Sequence, residues 1–198
     1  ADARKRRGRH IVTTMTEHPS VANPMARLAD MGYEITYLPV DKNGIVSMEV
    51  LSDSLRDDTI LVSIMHVNNE VGSINPIADI GKLVHKKAKN AVFFVDAIQS
   101  YGKLDVIPKK MDIDLMSVSL HKLHGPKGCG FLYKKDGINI TPIIYGGGQE
   151  SLLRSGTENV PAIAGTGKAV AEYFDGINEH RDKLYELKRT FLDNISDI

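Results

Sequence analysis

Phe93-Phe94-Val95-Asp96-Ala97-Ile98-Gln99-Ser100 is an apolar run that stops on a carboxylate and an amide, and further along Ser117-Val118-Ser119-Leu120-His121-Lys122 repeats the pattern. The second run stops on hydroxyls, an imidazole and an amine. Phe93, Val95 and their neighbours read as a strand buried on both faces, as strands of parallel sheets are. If the two runs are neighbouring strands, their polar ends project from one sheet edge. There an amine can condense with an aldehyde while an acid keeps a ring nitrogen protonated.

Outward from this pair the elements alternate. His10–Thr14, Glu34–Val40 and Thr59–Val67 read as strands, and Ala91–Ala97, Asp114–Ser119 and Gly130–Lys134 as three more. The last follows the Gly125-Pro126-Lys127-Gly128 turn and is expected to pair antiparallel. Helices are expected over Pro19–Met31, closed by Gly32, and over Met48–Arg56, capped by Ser47. A third runs from Pro76 to Lys87, with Ile77, Ile80, Leu83 and Val84 on one stripe. A long helical segment starts at Pro161, with a break near Asp175-Gly176. Strands separated by helices predict an α/β fold with a mostly parallel sheet flanked by helices. Ligands of such sheets sit at the C-terminal strand ends, where the polar clusters fall.

Composition narrows the functional classes. The chain has 198 residues, enough for one ordinary domain, and a formal net charge of +0. A neutral chain argues against nucleic acid or an anionic membrane as the main partner. No apolar run approaches the roughly 20 residues of a membrane span. A lone cysteine, Cys129, rules out an internal disulfide and points to a reducing, cytoplasmic compartment. Scattered histidines without ligand spacing give no metal site. The basic stretch Arg4-Lys5-Arg6-Arg7-Gly8-Arg9-His10 fits a nucleic-acid patch or a solvated helix end with Gly8 as its C-cap, and the second reading is adopted. With Ala1 in place of Met, it leads us to expect that the chain starts partway through a larger protein.

Four segments carry polar groups just after apolar strands: Thr16-Glu17-His18, His66-Val67-Asn68-Asn69-Glu70, Asp96-Ala97-Ile98-Gln99 and Ser119-Leu120-His121-Lys122. Singly, each has a bland reading: a surface lysine, an N-cap aspartate, a turn histidine. Together at strand ends they would line one pocket, and their chemistry suits pyridoxal phosphate (PLP). Lys122 would bind the aldehyde as an imine, and Asp96 would pair with the protonated pyridine nitrogen. His18 is suited to stack on the ring and move protons. Gln99 and Asn69 offer hydrogen bonds to the ring oxygen, and Ser119 and His121 offer donors to the phosphate. Downstream, Gly146-Gly147-Gly148-Gln149-Glu150 and Arg154-Ser155-Gly156-Thr157 fit either an anion-binding loop or a flexible one.

At these residues the sequence resembles the cysteine desulfurases, the NifS/IscS-like branch of the class V aminotransferases. The likeness runs from about His10 into the long C-terminal helix. It rests on Thr16-Glu17-His18, Met65-His66-Val67-Asn68-Asn69-Glu70-Val71-Gly72, Val95-Asp96-Ala97-Ile98-Gln99-Ser100, Ser119-Leu120-His121-Lys122 with Gly125-Pro126-Lys127-Gly128, and Arg154-Ser155-Gly156-Thr157.

The resemblance implies the large domain of a fold-type I PLP-dependent transferase that takes sulfur from L-cysteine and releases alanine. Lys122 then matches the Schiff-base lysine, Asp96 the pyridinium partner and His18 the ring-stacking histidine. Asn69 and Gln99 lie near the ring oxygen, and Ser119 and His121 hold the phosphate. Thr157 matches a residue that reaches the phosphate of the neighbouring subunit, which implies a homodimer.

The family's upstream phosphate loop would precede Ala1, and its catalytic cysteine and substrate-carboxylate arginine would follow Ile198. Residues 1–198 are therefore expected to be an incomplete PLP-binding large domain, inactive alone, of a protein that passes persulfide sulfur to acceptor or scaffold proteins in iron–sulfur assembly or thiolation. Cys129 is expected to be a buried structural thiol. Selenocysteine lyase, another class V enzyme, or a non-catalytic dimerisation module are the alternatives.

Overall fold

The β-branched and aromatic runs form six strands: β1 (His10–Thr14), β2 (Glu34–Leu38), β3 (Thr59–Met65), β4 (Val92–Asp96), β5 (Leu115–Ser119) and β6 (Gly130–Lys134). In the computed structural model, which describes residues 1–196, they make one sheet in the order β2-β1-β3-β4-β5-β6. The first five are mutually parallel and β6 runs antiparallel to β5. Among the described residues five α-helices complete the fold: α1 (Pro19–Asp30), α2 (Met48–Ser54), α3 (Ile77–Lys87), α4 (Val160–Asp175) and α5 (Ile177–Ile195). The expected α/β class, with a mostly parallel sheet flanked by helices, is what forms.

Alternate residues of each strand supply two cores. Val12, Val62, Ile64, Phe93 and Val95 pack with Ile77, Ile80 and Val84 of α3 on one face. Ile11 and Ile60 pack with Val21 and Met25 of α1 on the other. Covering both faces explains why β3 and β4 read as nearly continuous apolar runs. The strand edge that matters is therefore the C-terminal one, where the chain leaves the core.

Several boundaries move for local reasons. β3 stops at Met65 rather than Val67, because the Asn75 amide donates to the Met65 carbonyl (2.9 Å) and takes the place of a strand partner. Asn75 Oδ1 also accepts from Val46 N (3.0 Å), which ties the loop before α2 to the same point. β2 stops at Leu38, leaving Val40 bridged to Val46. The final helical segment begins at Val160, capped by the Asn159 side chain, and breaks at Gly176 as expected.

Gly8 does not cap a helix. The basic stretch holds only a short 3-10 turn over Asp2–Arg4, and Gly8 lies outside the left-handed region. Its backbone is pressed against Asp58, so an added Cβ would sit 2.1 Å from the Asp58 carbonyl oxygen. Close approach is its reason for being glycine. Arg4 donates to the Asn90 carbonyl (2.7 Å), which makes one of these cations structural.

Candidate active site

The parallel pairing of β4 with β5 sets Asp96 opposite Ser117, and the pairing of β3 with β4 sets Met65 opposite Asp96. β3 and β4 thus end level, and β5 runs two residues further at the same edge, to Ser119. Beyond β5 the chain makes a 3-10 turn over Leu120–Leu123. Leu120 and Leu123 are each 1% exposed and anchor the turn, while His121 and Lys122 between them face outward. Residues three apart eclipse in such a turn, which is why two buried leucines bracket two free polar groups. His124 closes it in a left-handed conformation (φ 61°).

His18 caps α1. Its Nδ1 accepts from Ser20 N (3.1 Å) and lies 2.8 Å from Ser20 Oγ, with Pro19 as the first helical residue. A nitrogen that accepts a backbone N–H carries no proton, so the neutral ring holds its proton on Nε2. The cap therefore selects the tautomer as well as the helix start.

His18, Asn69, Asp96, Gln99, Ser119, His121 and Lys122 line one pocket of about 300 Å³, together with Ser20, Met65 and Ile98. That volume is at the small end of ligand sites. Seven of the eight residues singled out from sequence meet there. Thr157 does not; it is exposed and lies outside the pocket. A larger cleft of about 660 Å³ lies against α1, lined mostly by aliphatic side chains with Asp2, Arg4, Arg27 and Thr141, and holds none of the residues singled out from sequence.

Asp96 is 4% exposed, and Oδ1 accepts from Ile98 N (2.9 Å). Burial pushes its carboxyl up, opposed by that hydrogen bond and by the nearby His18 imidazole. Among the described residues Asp96 forms no ion pair, and neither does Lys122. A buried carboxylate without a cation, facing a pocket that also holds a free amine, suits a ligand carrying a protonated ring nitrogen and an aldehyde. Ser119 and His121 add donors for an anionic group. The donor set fits PLP.

Two titratable neighbours received no role from sequence. Glu17 is buried; its Oε1 accepts from Thr14 Oγ1 and from Met65 N, both at 2.8 Å, which ties β1 to β3 beneath the pocket. Burial pushes its carboxyl up to about 7, with Asp96 adding to the effect, and Oε2 has no partner among the described residues. Burial likewise lowers the His66 imidazole to about 4. The available signal for Glu17 was an acid set between a strand of buried residues and a helix cap. For Asn68 and Asn69 the division of labour is also clear. The Asn68 amide donates to Thr16 O (3.0 Å) and its Oδ1 accepts two loop N–H groups, whereas Asn69 reaches the pocket.

Cys129 is half-buried rather than buried, on the loop before β6, and does not line the pocket. The position beside the exposed end of an edge strand leaves one side open. Among the described residues no cluster of His, Cys, Asp and Glu is arranged to hold a metal ion, and no helix is long and apolar enough to cross a membrane.

Comparison with known proteins gives the family. The sequence is 44% identical over 198 residues to cysteine desulfurase IscS of Methanosarcina thermophila, covering 100% of this chain and 48% of that protein. It is 46% identical over 188 residues to cysteine desulfurase IscS of Clostridium botulinum, covering 95% and 47%. The chain spans about half the length of the curated relatives it matches. The solved structure of a NifS-like protein superposes with a TM-score of 0.96 at 41% identity, over 100% of this chain and 54% of that one. SspA in complex with cysteine superposes with a TM-score of 0.81 at 40% identity, over 85% and 50%. The family model for aminotransferase class-V matches residues 1–198, so the chain belongs to the class-V aminotransferase family.

Proposed function

We propose that the pocket binds PLP and that the whole protein is a cysteine desulfurase, taking sulfur from L-cysteine and releasing alanine. One observation carries the reading: a buried carboxylate without a cation, Asp96, and a free amine, Lys122, converge on one pocket. When bound, PLP supplies an electron sink for charge developing at the amino acid α-carbon.

This chain's own residues supply the rest. Lys122 Nζ would hold the group through its aldehyde carbon, and its free amine would serve as the base for the amino acid α-proton. Asp96 accepts a hydrogen bond from the ring nitrogen and keeps it protonated, a charge-assisted contact in a buried setting. His18 presents a flat face to the ring and a proton on Nε2, oriented by Ser20. Asn69 and Gln99 donate toward the ring oxygen, and Ser119 and His121 toward the phosphate. Holding amine and α-carbon together removes several kcal/mol of orientational entropy from the barrier.

Thr157, exposed on a loop outside the pocket, serves the phosphate of a second copy in this reading, which makes the active form a homodimer. Sulfur leaves as persulfide to acceptor or scaffold proteins of iron–sulfur assembly or thiolation, in the cytoplasm, where a lone thiol such as Cys129 stays reduced. The PLP-loaded protein tests the reading. A visible absorption band that forms with one PLP per chain and disappears in Lys122→Ala supports it; the absence of any band refutes it.

A further inference from the structure

We propose that Lys103 is a positioning residue for this pocket: by holding the side-chain oxygen of Gln99 it turns the Gln99 amide nitrogen toward the ring oxygen of bound PLP. The inference rests on the reading of the pocket as a PLP site and adds a residue that does not line it.

The chain beyond Asp96 is wound tightly enough to bring Lys103 back over Gln99. Ser100 N and Tyr101 N donate to Ala97 O (3.1 and 2.8 Å), and Lys103 N donates to Ser100 O (2.9 Å). Gly102 takes the left-handed conformation (φ 79°) that closes this winding. A Cβ there would lie 2.4 Å from Leu123 Cδ2, so the turn is also packed against the segment that carries Lys122.

Folded back this way, Lys103 Nζ donates to the Gln99 carbonyl (3.2 Å) and to Gln99 Oε1 (3.4 Å). An ammonium has donors only, so the group it faces must be the amide oxygen and not the nitrogen. The orientation of the Gln99 amide is thereby fixed, and its Nε2 is the end left for the pocket that Gln99 lines. A donor presented there suits an anionic ring oxygen. Lys103 is half-buried, and among the described residues no carboxylate pairs with it. Burial and the charge of Lys122 both lower its pKa. Both Gln99 oxygens accept from it. Gln99 is a long side chain with several rotamers, and clamping it before the cofactor arrives removes part of the ordering cost of binding.

The test is PLP titration of the 198-residue chain, followed by the visible band, in wild type, Lys103→Met, Gln99→Leu, the double variant and Lys103→Arg. Lys103→Met should weaken PLP roughly fivefold and move the band maximum to that of Gln99→Leu. The double variant should bind no more weakly than Gln99→Leu, because both changes remove one contact. Lys103→Arg, which keeps a cationic donor, should restore most of the affinity. Should Lys103→Met fail to fold, Lys103→Gln, polar but shorter and neutral, is expected to give the same weakening and band position. A wild-type affinity and band in the Lys103 variants, or losses that multiply in the double variant, would overturn the inference while leaving the PLP reading intact. No band in wild type overturns the reading itself, and the inference with it.

Discussion

Asp96 and Lys122 leave adjacent parallel strands at the same edge of the sheet, the carboxylate buried at the end of β4 and the amine exposed on the turn after β5. The two differ in burial because they differ in duty. A carboxylate meant to grip a cationic ring is stronger when water is excluded, whereas an amine that must form and release a covalent bond needs access.

Replacing Asp96 by Asn keeps the shape and one hydrogen-bond acceptor but removes the charge. PLP affinity should fall roughly tenfold to a hundredfold, the equivalent of about 1.5–3 kcal/mol for a charged hydrogen bond. Titration of the variant with PLP measures it. Unchanged affinity would mean that the ring nitrogen is not at Asp96.

His18 combines a structural and a chemical task, and two substitutions separate them. His18→Ala loses the α1 cap and should cost about 1 kcal/mol of stability. His18→Asn retains a good cap but no aromatic face, so thermal stability should stay near wild type while PLP affinity falls. Equal melting temperatures for the two variants would contradict the cap assignment.

Stability should respond to pH through two buried groups of opposite sign. The Glu17 carboxyl titrates at about 7 in the folded chain against 4.5 unfolded. Between those values the folded state holds the extra proton, so stability falls as pH rises through the window, by roughly 3 kcal/mol in full. The His66 imidazole titrates at about 4 folded against 6.5 unfolded. There the unfolded state holds the extra proton, and stability is lost as pH falls from 6.5 toward 4. The two nearly cancel in wild type over their overlap. Urea denaturation across pH 4–8 should show a steeper rise with pH in Glu17→Gln and a fall with pH in His66→Gln. Parallel curves for all three proteins would rule out both assignments.

Gly102→Ala tests the turn that joins the β4 end to the Lys122 segment. The left-handed backbone and the contact with buried Leu123 should together cost about 1–3 kcal/mol. A loss of a few tenths would mean that Leu123 yields easily.

Much of this site could be read from sequence because its parts follow two simple patterns. Buried parallel strands are continuous apolar runs, and the polar residues that end them must share an edge, so Asp96, Ser119 and Lys122 were placed together by topology alone. The antiparallel β6 followed from the Gly125–Gly128 turn. What escaped were contacts decided by three-dimensional closeness. Nothing local announces that Glu17 will accept from Met65 N, forty-eight residues away. Lys103 sits four residues after Gln99, a spacing that suggests a meeting only once Gly102 is known to turn left-handed. The cations before Gly8 suggest a helix cap, but its constraint comes from Asp58 in a different strand connection. Cys129 was expected to be buried by residue type, but it stands at an edge where a small residue can be half-exposed.

That placement of Cys129 gives a further expectation. Sulfur transfer needs a thiol at the substrate, and the only cysteine of these 198 residues lies outside the pocket. Adding L-cysteine to the PLP-loaded chain should release no more sulfide than PLP alone, and Cys129→Ser should change nothing. Sulfide above that control, lost in Cys129→Ser, would make Cys129 the acceptor.

The central claim is that one particular amine holds the cofactor. Borohydride reduction of the PLP-loaded chain followed by peptide mapping decides it directly. A single phosphopyridoxyl label is expected, on the peptide containing Lys122. A label on Lys103, on any other lysine, or on none would contradict it.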